Sequence, residues 1–413
     1  MNDTGGETGD PATFEQVEWE AIEATGRIAQ PSTVLFLVLL AGLVPAFLYH
    51  FFFVLPAHTL YGPIDPSPLT WLVLFALAFL LSYGVLPLAL SPSRALEFWE
   101  AFRARRFGRL SFGVLTVLGV VAVAGPEILG LPISAKLPFT EGAARQPSSG
   151  LPPFGLSVPV ESLIYCSGET HGDRCFGMAA HPLGTTSSGR DVLAFVVGGF
   201  RVAFEVATLT AVILVPVATV AGTVAAFTGG RVDAVITRSA DFFQVLPAFV
   251  IYLFVRMIAG PELWVLVVLF GLLGWGHVAR RVRAEALSLR DAGYVRAAAD
   301  AGSTPADTVL RHLIPNVSHV AVGSLASQIP KLLVVEITLS YLGFVQTKTP
   351  SWGYAIVSAL KNPNLPATGI GVVSPLRLWW AIVFPVLALL LMVSTTTVLV
   401  DALGDALDPE GEP

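Results

Sequence analysis

Charged residues, lysine and cysteine are all scarce in this 413-residue sequence. Only 13% of the residues are charged and 54% are hydrophobic, which is far more apolar surface than one soluble core of this size could bury. The net charge of −6 is small and negative, so the chain as a whole is not a nucleic-acid binder. The composition instead predicts an all-α integral membrane protein that crosses the bilayer several times.

The scarcity of lysine excludes one kind of nucleotide site. A phosphate-binding loop for ATP hydrolysis needs the pattern Gly-x-x-x-x-Gly-Lys-Ser/Thr. Of the four lysines, only Lys348 precedes a threonine, and Thr347 stands before it where the pattern needs glycine. We therefore predict no ATPase, catalytic residue, metal ligand or bound cofactor in this chain.

Long apolar runs recur along the sequence. A helix of about 20 apolar residues crosses the roughly 30 Å hydrocarbon core of a bilayer. The sequence predicts eight such helices, over residues 33–54, 69–90, 110–131, 202–227, 235–258, 263–279, 318–344 and 378–403.

Arginine in the short loops predicts the orientation of these helices. The segment after the second run contains five arginines, whereas residues 55–68, after the first run, contain none. Basic residues concentrate on the cytosolic side, so the former segment is expected to be cytosolic. Counting onward predicts that residues 132–200 are extracellular, that residues 280–316 are cytosolic, and that both termini are cytosolic.

The stretch "YVRAAADAGSTPADTVLRHLIPN", residues 294–316, contains the start and stop signals of two short helices. Its alanine-rich first half favours helix, and Gly302 is a natural stop. Thr304, Pro305 and Asp307 then provide an N-cap, a proline at the first helical position and an acidic third position, which restart the helix. By spacing alone, a surface hairpin between two spans is the alternative.

This stretch resembles the EAA loop of ABC transporter permeases. The family pattern is Glu-Ala-Ala, three residues, Gly, and later a step ending in Leu-Pro. Ala297 and Ala298 fit the alanines, Gly302 fits the glycine and Pro315 fits the end, whereas Arg296 stands where the family usually has glutamate. The coupling residues that the resemblance implies are Tyr294, Arg296, Ala297, Ala298, Gly302, Thr304, Asp307 and Pro315.

Four further stretches, in the same order as in the family, resemble the dipeptide, oligopeptide and nickel branch of these permeases. They are "HPLGTTSSGRDVL" from His181, with Thr186 in place of the usual Asp, "EITLSYLGF" from Glu336, "TPSWG" from Thr349, and "LGDALDP" near the end. The chain is similar to the second (C-type) permease of that branch. The resemblance implies six helices that form a type I importer core, with an added N-terminal two-helix hairpin.

On this basis the chain divides into seven parts. They are an acidic cytosolic tail over 1–32, the extra hairpin over 33–90, a basic cytosolic linker over 91–109, the first core helix over 110–131, an extracellular loop over 132–200, the rest of the core over 201–404, and an acidic C-terminal tail over 405–413.

The resemblance also implies a function and its partners. The chain would be the membrane permease subunit of an ATP-driven importer, with dipeptides or oligopeptides as substrate, in the cell membrane. A homologous second permease would share the translocation path, and an extracellular solute-binding protein would deliver the substrate. Two ABC ATPase subunits, which bind ATP and Mg²⁺, would dock on the EAA loop and drive the permease between inward-open and outward-open states.

Two ionisable residues, Lys331 and Glu336, lie inside the predicted seventh span. A charge at mid-bilayer costs about 2.5–3.5 kcal/mol on insertion scales, so both side chains are expected to face protein or water. They are candidates for the translocation path or for gating, and a structural pairing is the alternative for each. They are also the only support for a rival function, an ion-coupled secondary transporter.

Both cysteines and the "HPLGTTSSGRDVL" signature lie in the predicted outer loop over 132–200, and the "TPSWG" signature follows the seventh span on the same side. Cys166 and Cys175 would lie on an oxidising side, where a disulfide is reasonable, and with His171 and Asp173 nearby a metal site is the alternative. Thr186 or Ser188 is expected to cap a helix that follows along the outer interface. Trp352 is expected at interfacial height in an outer re-entrant element.

Overall fold

The computed structural model describes residues 30–53, 67–128, 150–160, 166–187, 189–345, 351–360 and 378–407. Most of the predicted acidic tail over 1–32, residues 408–413 of the C-terminal tail, the start of the outer loop, and Ser188, Thr349 and Pro350 lie outside the described residues.

Helices make up nearly all of the described chain. They are α1 (Pro31–Phe53), α2 (Pro68–Leu90), α3 (Pro92–Ala104), α4 (Arg106–Ile128), α5 (Val192–Thr228), α6 (Gly230–Val245), α7 (Ala248–Ala259), α8 (Leu263–Leu273), α9 (Trp275–Arg290), α10 (Gly293–Asp300), α11 (Pro305–Tyr341), α12 (Trp352–Leu360) and α13 (Trp380–Leu407).

Seven helices of the described residues are long and apolar enough to cross a membrane, and α8 with α9 counts as one of them. The pair α6–α7 would be an eighth span if its two bent halves cross together. The prediction of an all-α membrane protein with about eight spanning helices is therefore confirmed.

The edges and shape of two spans differ from the prediction. Helix α5 begins at Val192, about ten residues before the predicted start, because the mostly apolar stretch with Gly198, Gly199 and Arg201 that precedes the predicted run is also helical. The run predicted as one helix over 235–258 is two helices, α6 and α7, bent by 80°. The break falls at Leu246 and Pro247, where the proline ring cannot donate the backbone hydrogen bond that would continue the helix.

Helix α5 lies at the centre of the bundle. It packs against α4, α6, α8, α9, α11 and α13. Small residues allow the closest of these approaches, because a Cβ atom added to Gly222 would lie only 2.5 Å from the carbonyl oxygen of Ala279 in α9. Close approach at small residues is how membrane helices gain packing energy where lipid offers no hydrophobic driving force.

The N-terminal helices α1 and α2 form an aromatic hairpin beside this bundle. The ring of Phe36 contacts Phe79 and Tyr83 edge-on, and the ring of Phe47 contacts Trp71 in the same way. Helix α2 packs against α5 and α8, so it joins the hairpin to the bundle.

A small lobe precedes α5. Its antiparallel sheet has the order β1 (Ser157–Pro159), β3 (Arg174–Phe176), β2 (Thr170–His171), with Val158 opposite Cys175. The lobe is tied to the last helix, because the indole N–H of Trp380 donates a 2.9 Å hydrogen bond to the carbonyl of Thr185.

The predicted basic linker over 91–109 is helical, as α3 and the first turn of α4. Arg105, between these helices, forms an ion pair with Asp405 near the end of α13. Since Asp405 belongs to the "LGDALDP" signature, this pair joins that signature to the segment before the first core helix.

Candidate functional site

The alanine-rich helix α10 ends where the sequence predicts. Gly302 has a φ of 87°, a left-handed conformation that favours glycine. The N–H of Ser303 donates a 3.0 Å hydrogen bond to the carbonyl of Ala298, which is the six-to-one bond of a Schellman C-cap. The helix stop therefore depends on the backbone freedom of this glycine.

The next helix restarts with the predicted cap. The Thr304 hydroxyl accepts a hydrogen bond from the N–H of Asp307 at 3.2 Å and donates one to the Asp307 carboxylate at 2.8 Å. Asp307 also lies 3.5 Å from Arg311, one turn further on. Thr304 and Asp307 thus fix the direction in which α11 leaves the turn.

One face of α10 is anchored to the bundle. The Val295 side chain is buried with Val309 and Leu313 of α11, and Phe227 and Leu289 from the ends of α5 and α9 pack around them. This small apolar cluster holds α10 against the ends of three long helices.

The rest of α10 and its C-terminal end are exposed and rich in small residues. Ala297, Ala301 and Gly302 are exposed, and Ala298 is half-buried. Arg296 is 69% exposed and lies 3.9 Å from Asp291, which is also exposed, so this pair contributes little stability. The small side chains of Ala297 and Ala301 allow another protein to approach the backbone of this segment closely.

Tyr294 and Pro315 lie on either side of this exposed surface. The Tyr294 hydroxyl accepts a 3.2 Å hydrogen bond from the side-chain amide of Asn316, which closes the loop on itself. Pro315 is exposed where α11 leaves its wide π-helical turns, Thr308–Leu313. All eight predicted coupling residues thus lie in one compact loop.

Lys331 and Glu336 have opposite surroundings, although both are on α11. Glu336 is only 3% exposed, and its carboxylate accepts a 2.7 Å hydrogen bond from the Ser340 hydroxyl and another from Ser351. Lys331 is exposed on the outside of the chain. The structure therefore places Glu336 in the protein interior, beside the "SWG" of the next signature, and leaves Lys331 open to a ligand or partner.

Of the two expectations about the outer signatures, the one for Trp352 stays a prediction and the one for Thr186 is wrong. Trp352 is 2% exposed within the chain, because its indole lies against α5, where Gly199 leaves room for it. Asp191 rather than Thr186 caps the following helix, since its carboxylate accepts a 2.7 Å hydrogen bond from the N–H of Leu193. That helix is α5, which is long and apolar enough to cross a membrane.

The remaining outer residues form one ordered group. Cys166 and Cys175 are joined by a disulfide. His181 lies 2.9 Å from the carboxylate of Asp191, which holds the start of α5 against the lobe. His171 and Asp173 belong to no group of three or more metal-ligating side chains among the described residues.

Several ionisable residues in or next to the predicted apolar runs were not singled out from the sequence. Arg201 and Glu205 form an ion pair at 3.2 Å on α5, and His277 is exposed on α9. Glu205 interrupts the apolar run over 202–227, and that single acid was the signal available in the sequence. His277 stands two residues before the end of the run over 263–279 and carried no comparable signal.

The described chain is a bundle of long apolar helices with a capped, small-residue helix between two of them. The family described as "binding-protein-dependent transport system inner membrane component" matches residues 218–410. This range includes the α10 loop and Glu336.

Named relatives match a slightly larger part of the chain. The dipeptide transport system permease protein DppC of Bacillus subtilis (strain 168) is 30% identical over 233 residues, which cover 56% of this chain and 69% of that protein. The oligopeptide transport system permease protein OppC of Haemophilus influenzae is 30% identical over 234 residues, covering 56% and 70%. OppC of Escherichia coli (strain K12) is 30% identical over 233 residues, covering 56% and 73%.

The chain therefore belongs to the family of binding-protein-dependent transport system inner membrane components. It is a membrane permease subunit of an ABC importer and not an enzyme, and this assignment is favoured over the ion-coupled secondary transporter.

Proposed function

We propose that the chain is the C-type permease of a peptide importer and that α10 transmits the movement of two cytosolic ATPases to the bundle. The observation that carries this proposal is the α10 loop itself. Its small-residue face is open, while its other face is anchored by Val295 to the ends of α5, α9 and α11. A force that the ATPases exert on the open face would therefore act on three long helices together.

The peptide substrate is supported by the names of the relatives, which are dipeptide and oligopeptide permeases. Their partners in such importers would be a second permease, the ATPases that bind ATP and Mg²⁺, and an extracellular solute-binding protein. Here the second permease would complete the translocation path. The ATPases would take the cytosolic side, and both termini and α10 would then lie in the cytosol and the disulfide-bonded lobe outside.

Affinity purification of the tagged chain from its native membrane, followed by mass spectrometry, tests this assembly. We expect a second permease, ATP-binding subunits and a solute-binding protein in the same sample. Ala297→Glu places a charged, bulky group on the open face of α10 without touching Val295, and it should remove the ATPases while the second permease stays bound.

Ala297→Ser is the matched control, because serine is small and uncharged and should keep all partners. Peptide uptake into cells should change in parallel with ATPase binding, so that Ala297→Glu loses uptake and Ala297→Ser keeps it. Recovery of the ATPases with Ala297→Glu at normal yield would show that α10 is not their docking site. Recovery of the chain alone would reject the importer assembly altogether.

A further inference from the structure

The 13-residue helix α3 lies at one surface of the membrane. It joins α2, which ends at Leu90, to α4, which begins at Arg106, and both of these helices are long and apolar enough to cross the bilayer. Helix α3 is about 20 Å long, too short to cross the roughly 30 Å hydrocarbon core, so α2 ends and α4 begins on the same side. The orientation proposed above makes this the cytosolic side.

One face of α3 packs against the bundle. Phe102 is only 3% exposed, and its ring contacts Phe112 of α4 edge-on and stacks with Phe98 one turn earlier. The helix also packs against α13. Glu97 and Glu100 are exposed, and the helical repeat places both on the far side of the helix from Phe102. The two acids therefore point away from the bundle.

The flank between these two faces is apolar and ends in an arginine. Leu96 is 61% exposed, Trp99 is 48% exposed, and Arg103, one turn further on, is also exposed. Spacings of three and four residues bring these three side chains to one side of the helix. Glu97 is two residues from Trp99, so it points to nearly the opposite side. This is the pattern of a helix that lies in the membrane–water interface with its apolar flank against lipid.

Two more exposed arginines follow at the start of α4. Arg106 and Arg109 are one turn apart and share a face of the helix. Arg103 is three residues before Arg106, which limits their backbone separation to about 11 Å. Phe107 and Leu110, in the same turn of α4, are 76% and 64% exposed. The three arginines thus lie close together beside exposed apolar side chains, where α4 enters the bilayer.

These three arginines have no acidic partner in the part of the chain that the structure describes. Within it, none of Arg103, Arg106 and Arg109 has an ion pair or a side-chain hydrogen bond. Arg105, in the same segment, differs because it pairs with Asp405 of α13. The chain therefore supplies an acid where an arginine joins two helices and leaves three exposed cations for an anion from outside. At the inner membrane surface the most concentrated anions are lipid phosphates, which make that surface negative.

We propose that Leu96, Trp99, Arg103, Arg106 and Arg109 form a binding surface for anionic phospholipids of the inner leaflet. Leu96 and Trp99 enter the boundary between headgroups and acyl chains, where tryptophan is favoured. The three guanidinium groups bind headgroup phosphates, whose geometry they match. Since the Arg105 ion pair ties this segment to α13, the surface holds the first core helix and the last helix at the height of the inner leaflet. Only the choice of leaflet rests on the orientation proposed above.

The test measures which lipid the full-length chain retains, together with any subunits bound to it. The protein is reconstituted in vesicles of equal phosphatidylcholine and phosphatidylglycerol, extracted in mild detergent, and analysed by mass spectrometry for tightly bound lipid. We expect the unmodified protein to be enriched in phosphatidylglycerol. Arg106→Gln should lower the ratio of phosphatidylglycerol to phosphatidylcholine roughly fivefold, the contribution of one basic residue near an anionic surface. Combining it with Arg103→Gln and Arg109→Gln should abolish the preference.

Two control variants separate charge from folding. The combination of Arg103→Lys, Arg106→Lys and Arg109→Lys keeps the charge and should keep most of the preference. Arg174→Gln removes an exposed arginine from the disulfide-bonded lobe, outside the proposed surface, and should leave the lipid ratio unchanged.

A second measurement tests how α3 lies on the membrane. Both native cysteines are joined in the disulfide, so single nitroxide labels can be attached at Trp99→Cys and at Glu97→Cys. In vesicles, the label at position 99 should collide more with oxygen, which concentrates in lipid. The label at position 97 should collide more with a water-soluble nickel chelate.

Four results would overturn the proposal. An unchanged lipid ratio in the triple glutamine variant would show that the arginines do not bind headgroups, and an equal loss in the lysine and glutamine variants would show that charge is not what retains the lipid. Equal access of the nickel chelate to both labels would place Trp99 in water. Loss of a protein subunit instead of lipid from the glutamine variant would assign the surface to that subunit. Neither peptide nor ATP is used, so these outcomes are distinct from a failure of the proposed peptide transport.

Discussion

The indole N–H of Trp352, at the start of α12, donates a 3.2 Å hydrogen bond to the backbone carbonyl of Val196 in α5. The ring is wedged against the same helix one turn later, since a Cβ atom added to Gly199 would lie 2.0 Å from the indole nitrogen. The "SWG" signature is therefore a packing element that joins α12 to the central helix.

Gly199→Val should destabilise the protein, because the larger side chain displaces the Trp352 ring from its site. Overpacking of a core typically costs about 1–3 kcal/mol. Thermal unfolding of the purified protein in detergent should show a lower midpoint. Gly113→Val on α4 is the control, since an added Cβ there meets nothing within 4 Å and should leave the midpoint close to that of the unmodified protein. Equal midpoints for the two variants would contradict this account of the signature.

Glu336→Ala should lower stability, whereas Glu336→Gln should retain both stability and uptake. Alanine leaves the hydroxyls of Ser340 and Ser351 without their acceptor, and a buried unsatisfied polar group costs about 1–3 kcal/mol. Glutamine keeps an acceptor oxygen at nearly the same position. Unfolding midpoints and ATP-driven uptake, measured on both variants, check this. A folded Glu336→Gln variant that has lost uptake would instead assign the charge a role in transport.

Gly302→Val should uncouple ATP hydrolysis from transport more severely than Gly302→Asn. A β-branched residue at a φ of 87° is strained, whereas asparagine tolerates the left-handed region far better. The strain would unwind the end of α10 and tilt its open face away from the ATPase. ATPase activity stimulated by the solute-binding protein, compared between the two variants, measures this. Equal stimulation would mean that the C-cap is dispensable.

The two cysteines provide a test of orientation. Both are consumed by the disulfide in the lobe that precedes α5, so the chain should show no free thiol before reduction. A membrane-impermeant maleimide added to intact cells should label the chain only after treatment with an impermeant reductant. Labelling in inside-out vesicles but not in cells would place the lobe in the cytosol and reverse the orientation proposed above.

The coupling loop could be predicted from its sequence almost residue by residue. A helix stop at glycine and a restart at a threonine cap depend on contacts within a few residues, so the local pattern contains them. The same is true of the long spans, because their length and apolarity are set by the bilayer rather than by any neighbour.

Side-chain surroundings could not be predicted in this way. Glu336 and Lys331 are five residues apart in one apolar run, yet one is buried beside Ser351 and the other is exposed. Which face of α11 turns inward depends on α12 and the helices around it, and nothing in the run itself encodes that choice. For the same reason the sequence could not show that the Trp352 side chain is buried against α5.

The sequence by itself therefore determined the helical membrane class, the family signatures and the capped α10 loop, since each of these follows from composition or from short-range pattern. Only the tertiary structure decided the 80° bend between α6 and α7, the anchoring of α10 through Val295, and the burial of Glu336 beside Ser340. These features join residues that are far apart in the chain or depend on how whole helices pack, and such packing is a property of the complete bundle.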